Sequence, residues 1–265
     1  MPELLTLSDS IRHILSVVCA LFYLSACCNY FIGKGKLKTL SSLLWGTGTA
    51  INALIVVSNW AVNGYMPFVS MYQVLTFLSL TYTLVFLYVK LRFKSGFMKP
   101  YFMLFQGVIM VGVFFMGRVA SEWNFPPALQ SSYFIPHVFS YMISYTLVAV
   151  AALMCIISFF LKGENKLRHE KAVYQLVITG FPFMVLGMLL GALWANACWG
   201  NFWSWDLKET WSLMTVMTLS SYLHLRRTAD YGKYAKVLII VAFVFEIITL
   251  FFVGMFDSGS IHAYS

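Results

Sequence analysis

Eight apolar runs of about 20 residues each, joined by short polar connections, restrict this chain to one kind of fold. They cover roughly 11–32, 39–61, 71–89, 100–118, 134–161, 174–195, 208–226 and 237–256. A helix of about 20 residues is about 30 Å long, the thickness of a bilayer's hydrocarbon core. The runs far exceed the roughly 10 alternating residues of an outer-membrane barrel strand. With 60% of the 265 residues hydrophobic and 11% charged, no aqueous domain could hide the apolar surface. The expected fold class is all-α, a polytopic helical membrane protein with about eight transmembrane helices. No repeat, linker or low-complexity tract interrupts it, so residues 1–265 read as a single transmembrane domain. The first run lacks a positive n-region and a small-residue cleavage site, and reads as a retained span.

Orientation follows from the cations. Lys34, Lys36 and Lys38 fall in one connection, Lys90, Arg92, Lys94 and Lys99 in the next. Lys162, Lys166, Arg168 and Lys171 mark a third, and Arg226, Arg227, Lys233 and Lys236 a fourth. Only Arg12, Arg118 and Lys208 lie on the other side. The positive-inside bias therefore puts those four connections in the cytoplasm and both termini on the outer, extracytoplasmic side. The net charge of +8 is a topology signal with an attraction to the anionic lipid bilayer, and implies no nucleic acid partner.

One connection breaks the usual chemistry of turns. Trp199-Gly200-Asn201-Phe202-Trp203-Ser204-Trp205-Asp206 sets four aromatic rings, a glycine and a carboxylate between two apolar runs, where Gly, Asn, Ser or Pro normally suffice. An interfacial aromatic belt accounts for one or two such rings. Three tryptophans with Asp206, Lys208 and Glu209 behind them form a platform suited to a flat, partly charged ligand. The five cysteines, Cys19, Cys27, Cys28, Cys155 and Cys198, include no C-x-x-C or C-x-x-C-H pair. The chain is thus neither a thiol relay by itself nor a c-type cytochrome.

Three of the five histidines occupy positions that solvation does not explain. His137 opens span 5 on the outer side, and His262 lies in the tail after span 8 on that same side. His224 lies at the inner end of span 7. Two outer imidazoles beside an aromatic shelf suit the axial positions of a porphyrin iron. Zinc fits less well, because no Cys, Asp or third His joins them at ligand spacing. About 28 Å of continuous helix would separate Trp205 from His224, so His224 needs a partner of its own, most simply from another chain.

The residues from Trp199 to Glu209 resemble the tryptophan-rich "WWD" signature of haem-handling membrane proteins, and most closely the CcsA/ResC family of System II cytochrome c biogenesis. The resemblance covers most of the chain. Pro67 to Leu75 is similar to the family's P-x-x-N-x-Y-E segment, Gln130-Ser131 to His137 to its outer-histidine segment. Tyr222 to Arg226 is similar to the inner-histidine segment, and Gly259 to Tyr264 to the terminal G-x-H-S-Y. Ser70 and Gln73 stand where the family has Asn and Glu, and Ala263 where Ser is usual. The resemblance implies that His137 and His262 are axial metal ligands of an outer haem b, iron protoporphyrin IX. Trp199, Gly200, Trp203, Trp205 and Asp206 would hold its edge. It implies that His224 ligates haem inside the membrane, with the second ligand from a CcsB/ResB-like membrane subunit. The implied activity is haem transport to the outer face of the bacterial cytoplasmic (inner) membrane. There haem is presented to the C-x-x-C-H thiols of apocytochrome c, making this the haem-presenting subunit of a holocytochrome c synthase, a haem lyase.

Two other readings are open from the residues. One is a haem-binding regulator of haem biosynthesis similar to the HemX branch of the same superfamily. The other is an ion or solute transporter, suggested by the mid-span acid Glu246; no internal repeat or companion acid supports it. Glu246 is expected to bond a polar group on a neighbouring helix, and so is Gln73. His169, in the charged connection 162–171, is expected to be exposed.

Overall fold

The computed structural model describes residues 7–115, 126–228 and 233–252. All of their regular structure is helical. Eight long helices follow in order: α1 (Asp9–Ile32), α2 (Lys36–Asn63), α3 (Met71–Phe93), α4 (Lys99–Phe115), α5 (Phe134–Ser158), α6 (Gly163–Trp199), α7 (Leu207–Thr228) and α8 (Lys233–Ile247). Among the described residues, seven of these are long and apolar enough to cross a membrane. The exception is α7, which has the length but carries many Ser and Thr residues. Those hydroxyls are satisfied within the helix: Ser212, Thr215, Thr218 and Ser221 donate to the carbonyls of Glu209, Trp211, Met214 and Met217 at 2.7–2.9 Å. A helix whose polar side chains back-bond in this way presents few unsatisfied groups to an apolar surrounding.

The chain forms two compact units, Met1–Phe125 and Pro126–Ser265. In each, four consecutive helices pack as a ring, with the first helix against both the second and the fourth. In the first unit α1 is gripped by glycines: a Cβ on Gly48 of α2 would lie 3.1 Å from Phe22 Cβ, and one on Gly107 of α4 2.6 Å from Leu24 Cδ2. Gly48, Asn52, Ser58 and Asn59 of α2 are buried, whereas Gly46 is exposed and takes no part in packing. Buried Gln106 accepts from Trp45 Nε1 at 2.8 Å and donates to Ser79 O and Thr83 Oγ1 at 3.0 and 2.7 Å. Arg12 is buried and donates to Asn59 Oδ1 at 3.0 Å.

Gln73 bonds its own helix rather than a neighbouring one. Its amide oxygen accepts from the Val69 and Ser70 amides at 3.0 and 3.3 Å, while Ser70 Oγ accepts from Gln73 N. This Ser-x-x-Gln capping box satisfies donors at the start of α3 that have no intrahelical acceptor.

In the second unit, α6 is longer than its apolar run. The Lys- and Glu-rich stretch from Gly163 onward contains good helix formers and no breaker, so it continues straight into the span. The 37-residue helix is about 55 Å long, several turns more than the hydrocarbon thickness. His169 is consequently buried and not exposed; its Nδ1 meets the Asn165 carbonyl at 2.8 Å. Nearby, Lys236 of α8 pairs with Glu170 of α6 at 2.6 Å, both largely buried, and Lys236 Nζ lies 5.1 Å over the Phe159 ring. This pair ties the basic end of the unit together. Pro182 lies within α6, and the glycines near it face α5. A Cβ on Gly180 would be 3.1 Å from Leu147 Cβ, and one on Gly187 3.1 Å from the Tyr141 ring. Small residues at this seam let the two backbones approach closely, as membrane helix pairs require.

Candidate functional site

Consecutive antiparallel helices bring the N-terminus of α5, the α6–α7 connection and the C-terminal part of α8 to one end of the second unit. His137 occupies the first turns of α5, its amide bonded to Tyr133 O at 3.1 Å. Pro136 precedes it in the first turn, where a missing N–H removes no helical bond. The imidazole lies in the glycine groove of α6. A Cβ on Gly191 would come within 2.7 Å of its Nδ1 and Cε1, so only glycine leaves room for the ring.

His137 Nδ1 meets the Gly187 carbonyl oxygen at 2.8 Å. A carbonyl only accepts, so Nδ1 carries the hydrogen and the lone pair resides on Nε2. Metal-binding histidines are commonly oriented by such a bond from their second nitrogen. Aromatic rings enclose the imidazole: Tyr141 edge-on at 4.9 Å between centroids and Trp194 tilted at 5.6 Å. Trp194 is buried and anchored by a 2.8 Å bond from Nε1 to Ala128 O. It also meets Phe134 at 5.2 Å and Trp199 at 5.1 Å. A continuous aromatic path therefore leads from His137 through Trp194 to the first tryptophan of the loop.

The loop itself is shaped by its ends. Gly200 ends α6 in the left-handed conformation, φ +79°, its amide bonding Asn196 O at 2.9 Å; glycine adopts this geometry without a Cβ clash. Asp206 begins α7: its Oδ1 accepts from the Glu209 amide at 2.7 Å, the bond of a helix N-cap. Glu209 reaches back to accept from the Ser204 amide at 2.8 Å. Between these fixed ends Trp203 and Trp205 stand at right angles, centroids 5.7 Å apart. Trp205 is 69% exposed and adopts φ +62°, a conformation that is uncommon for a bulky residue. Trp203 Nε1 is buried and, among the described residues, has no hydrogen-bond partner. An orphaned indole donor of this kind suits an acceptor oxygen on a bound molecule.

Of the residues singled out from sequence, His137, Trp199, Gly200, Trp203, Trp205 and Asp206 lie at this end. His262 falls outside the described residues. His224 is in the last turns of α7, about 26 Å along the axis from Leu207. There it is exposed and lines an open groove of about 450 Å³ with Met217, Ser220, Ser221, Leu225 and Leu238. Arg226 beside it stacks over Tyr174 at 4.4 Å. Sequence reasoning missed Trp194 and Tyr141, and the seat for the imidazole at Gly187 and Gly191. The signal was present: Gly187 and Gly191 are one helical turn apart, and Trp194 continues their face of α6.

Comparison with known proteins adds an independent finding. The family described as cytochrome C assembly protein matches residues 68–261. The chain is 30% identical over 247 residues to the cytochrome c biogenesis protein CcsA of Chlamydomonas reinhardtii, covering 86% of this chain and 69% of that protein. It is 29% identical over 259 residues to CcsA of Trieres chinensis, 79% and 81% covered. With CcsA of Porphyra purpurea it shares 28% over 292 residues, 88% of each.

Proposed function

The chain belongs to the cytochrome c assembly protein family, and from that premise we propose that it carries haem b to the outer membrane face and presents it for attachment to apocytochrome c. Its general role is in cytochrome c biogenesis, as a multi-pass membrane protein. The observation that carries the finer reading is the His137 imidazole, whose Nδ1–H is committed to the Gly187 carbonyl so that Nε2 offers the lone pair.

The residues present fit a haem. His137 Nε2 would supply one axial nitrogen and His262 the other. Trp199, Trp203 and Trp205 offer indole faces for a porphyrin edge. The unpartnered Trp203 Nε1 would donate to a carboxylate oxygen such as a propionate. Asp206 and Gly200 act by fixing the loop ends that carry these rings. When bound, haem supplies the vinyl groups that form thioether bonds with the substrate's cysteines. The protein contributes orientation and ligation. For release, His137 or His262 would have to give way to the histidine of the substrate's C-x-x-C-H. His224 would hold haem on its way through the membrane, paired with a ligand from a CcsB/ResB-like subunit. The chain would be the haem-presenting half of a holocytochrome c synthase in the bacterial cytoplasmic membrane.

The test is purification of wild type, His137→Ala, His262→Ala and His224→Ala protein, reading the Soret and α bands. Each outer variant is expected to lose the bis-histidine spectrum and regain it with added imidazole; His224→Ala is expected to lower haem loading. Unchanged spectra in both outer variants overturn the ligand assignment.

A further inference from the structure

Glu246 has no role in the site as described, and packing does not explain it. It is 3% exposed, and among the described residues neither carboxyl oxygen has a hydrogen-bond partner. The helices packed most extensively against α8 in the second unit are α5 and α7, with α6 meeting it at the Glu170–Lys236 pair. From α5, Tyr145 stands within electrostatic reach of the carboxyl and of Tyr141. From α7, the ring at this level is Trp211, 5.2 Å from Phe245. Lys208 and Glu209 lie one turn before it, and Tyr222, His224, Arg226 and Arg227 toward the opposite end. On α8 itself the nearest cation is Lys236, about 15 Å away along the axis and committed to Glu170. Immediately after Glu246, α8 widens into a π turn, Ile248–Phe252, a distortion that often marks functional sites.

A buried ionised carboxylate with neither donor nor cation is very costly, and an apolar residue of similar shape would serve the core better. Metal cations need about six oxygen ligands, which two tyrosine hydroxyls cannot supply. A proton is the ligand this site can satisfy. The carboxyl is also linked to the histidine. His137, Tyr141 and Tyr145 follow each other at four-residue spacing on one face of α5, with ring centroids 4.9 and 5.4 Å apart.

We propose that Glu246 is a redox-linked proton site for the iron bound at His137. Its proton affinity rises when a one-electron donor reduces that iron from the ferric to the ferrous state, and falls again on reoxidation. Part of a proton then accompanies each electron in the pH range where the carboxyl titrates. The inference rests on haem being held at His137. The eight residues from His137 to Tyr145 span about 12 Å. Taking that length as the scale of the distance between iron and carboxyl, and an effective dielectric of about 20, one charge alters proton affinity roughly tenfold, equal to about 59 mV for a one-electron couple.

The experiment is a spectroelectrochemical titration of the haem-loaded full chain against pH, in wild type, Glu246→Gln and Tyr145→Phe. The wild-type midpoint potential is expected to fall by about 59 mV in total across the titration of the carboxyl, and that component is expected to vanish in Glu246→Gln. Tyr145→Phe is expected to keep the carboxyl proton and alter the size of the shift. Identical pH profiles in wild type and Glu246→Gln overturn the linkage. A second measurement needs no haem: the infrared C=O stretch of a protonated carboxylic acid in the apo protein at neutral pH, expected in wild type and absent in Glu246→Gln. Loss of that band from wild type overturns the proton site. If the band is present but His137→Ala leaves haem binding unchanged, the ligand assignment fails and the proton site stands.

Discussion

Replacing Gly191 with alanine places a methyl carbon 2.7 Å from both Nδ1 and Cε1 of His137. Ordinary contact begins near 3.5 Å, so the imidazole must move by about 0.8 Å. It has little room. Trp194 and Tyr141 hold the ring at 5.6 and 4.9 Å between centroids, and Trp194 is fixed by its bond to Ala128 O. A displacement of that size breaks the 2.8 Å bond to Gly187 O, worth about 1 kcal/mol net, and the overpacking adds about 1–3 kcal/mol. Binding should suffer more than folding, because losing the bond that orients a metal-ligating histidine typically costs 10–100-fold in affinity. The assay is haem-to-protein ratio in the purified membrane protein, with the Soret position and imidazole rescue. Gly180→Ala is the control: its Cβ would crowd Leu147 at 3.1 Å on the same helix seam without touching His137. Gly191→Ala is expected to lose haem where Gly180→Ala loses only stability. Wild-type haem content and spectrum in Gly191→Ala would refute the cradle.

Substitutions at two further places test how the surrounding structure is held. Asp206→Ala removes an N-cap and should cost about 1 kcal/mol in thermal unfolding in detergent, while Asp206→Asn keeps the cap and should stay near wild type. Haem loss in Asp206→Asn at unchanged stability would show that the carboxylate charge acts on the ligand as well. At the basic end, Lys236→Met strands Glu170 and should destabilise by about 3–5 kcal/mol; adding Glu170→Gln should recover most of that. Equal stability in the single and double variants would mean that the 2.6 Å pair is not what joins α6 to α8.

Apolar periodicity alone gave the all-helical class and the order of eight helices, because a lipid environment leaves the backbone no other way to satisfy itself. The unusual loop from Trp199 to Asp206 and its flanking histidine were equally legible, since neither turn chemistry nor solvation accounts for them. The Ser-x-x-Gln spacing of the Ser70–Gln73 capping box is present in the sequence, but a polar residue just inside a span suits a bond to a neighbouring helix equally well. The charge of the 162–171 connection ends the apolar run, whereas helix propensity carries the backbone straight through it.

Packing decided the remainder. That Gly187 and Gly191 make a seat for an imidazole depends on the register of α5 against α6, a property of two helix surfaces together. The tautomer of His137 is set by a carbonyl fifty residues away, and no spacing rule reports which carbonyl a side chain will reach. Trp194 is one apolar residue among many in its run until its ring is found between His137 and Trp199. A mid-span acid such as Glu246 is expected to find a partner. The arrangement of α5, α7 and α8 leaves it without one among the described residues, because hydrogen bonds are made in three dimensions and sequence records only one.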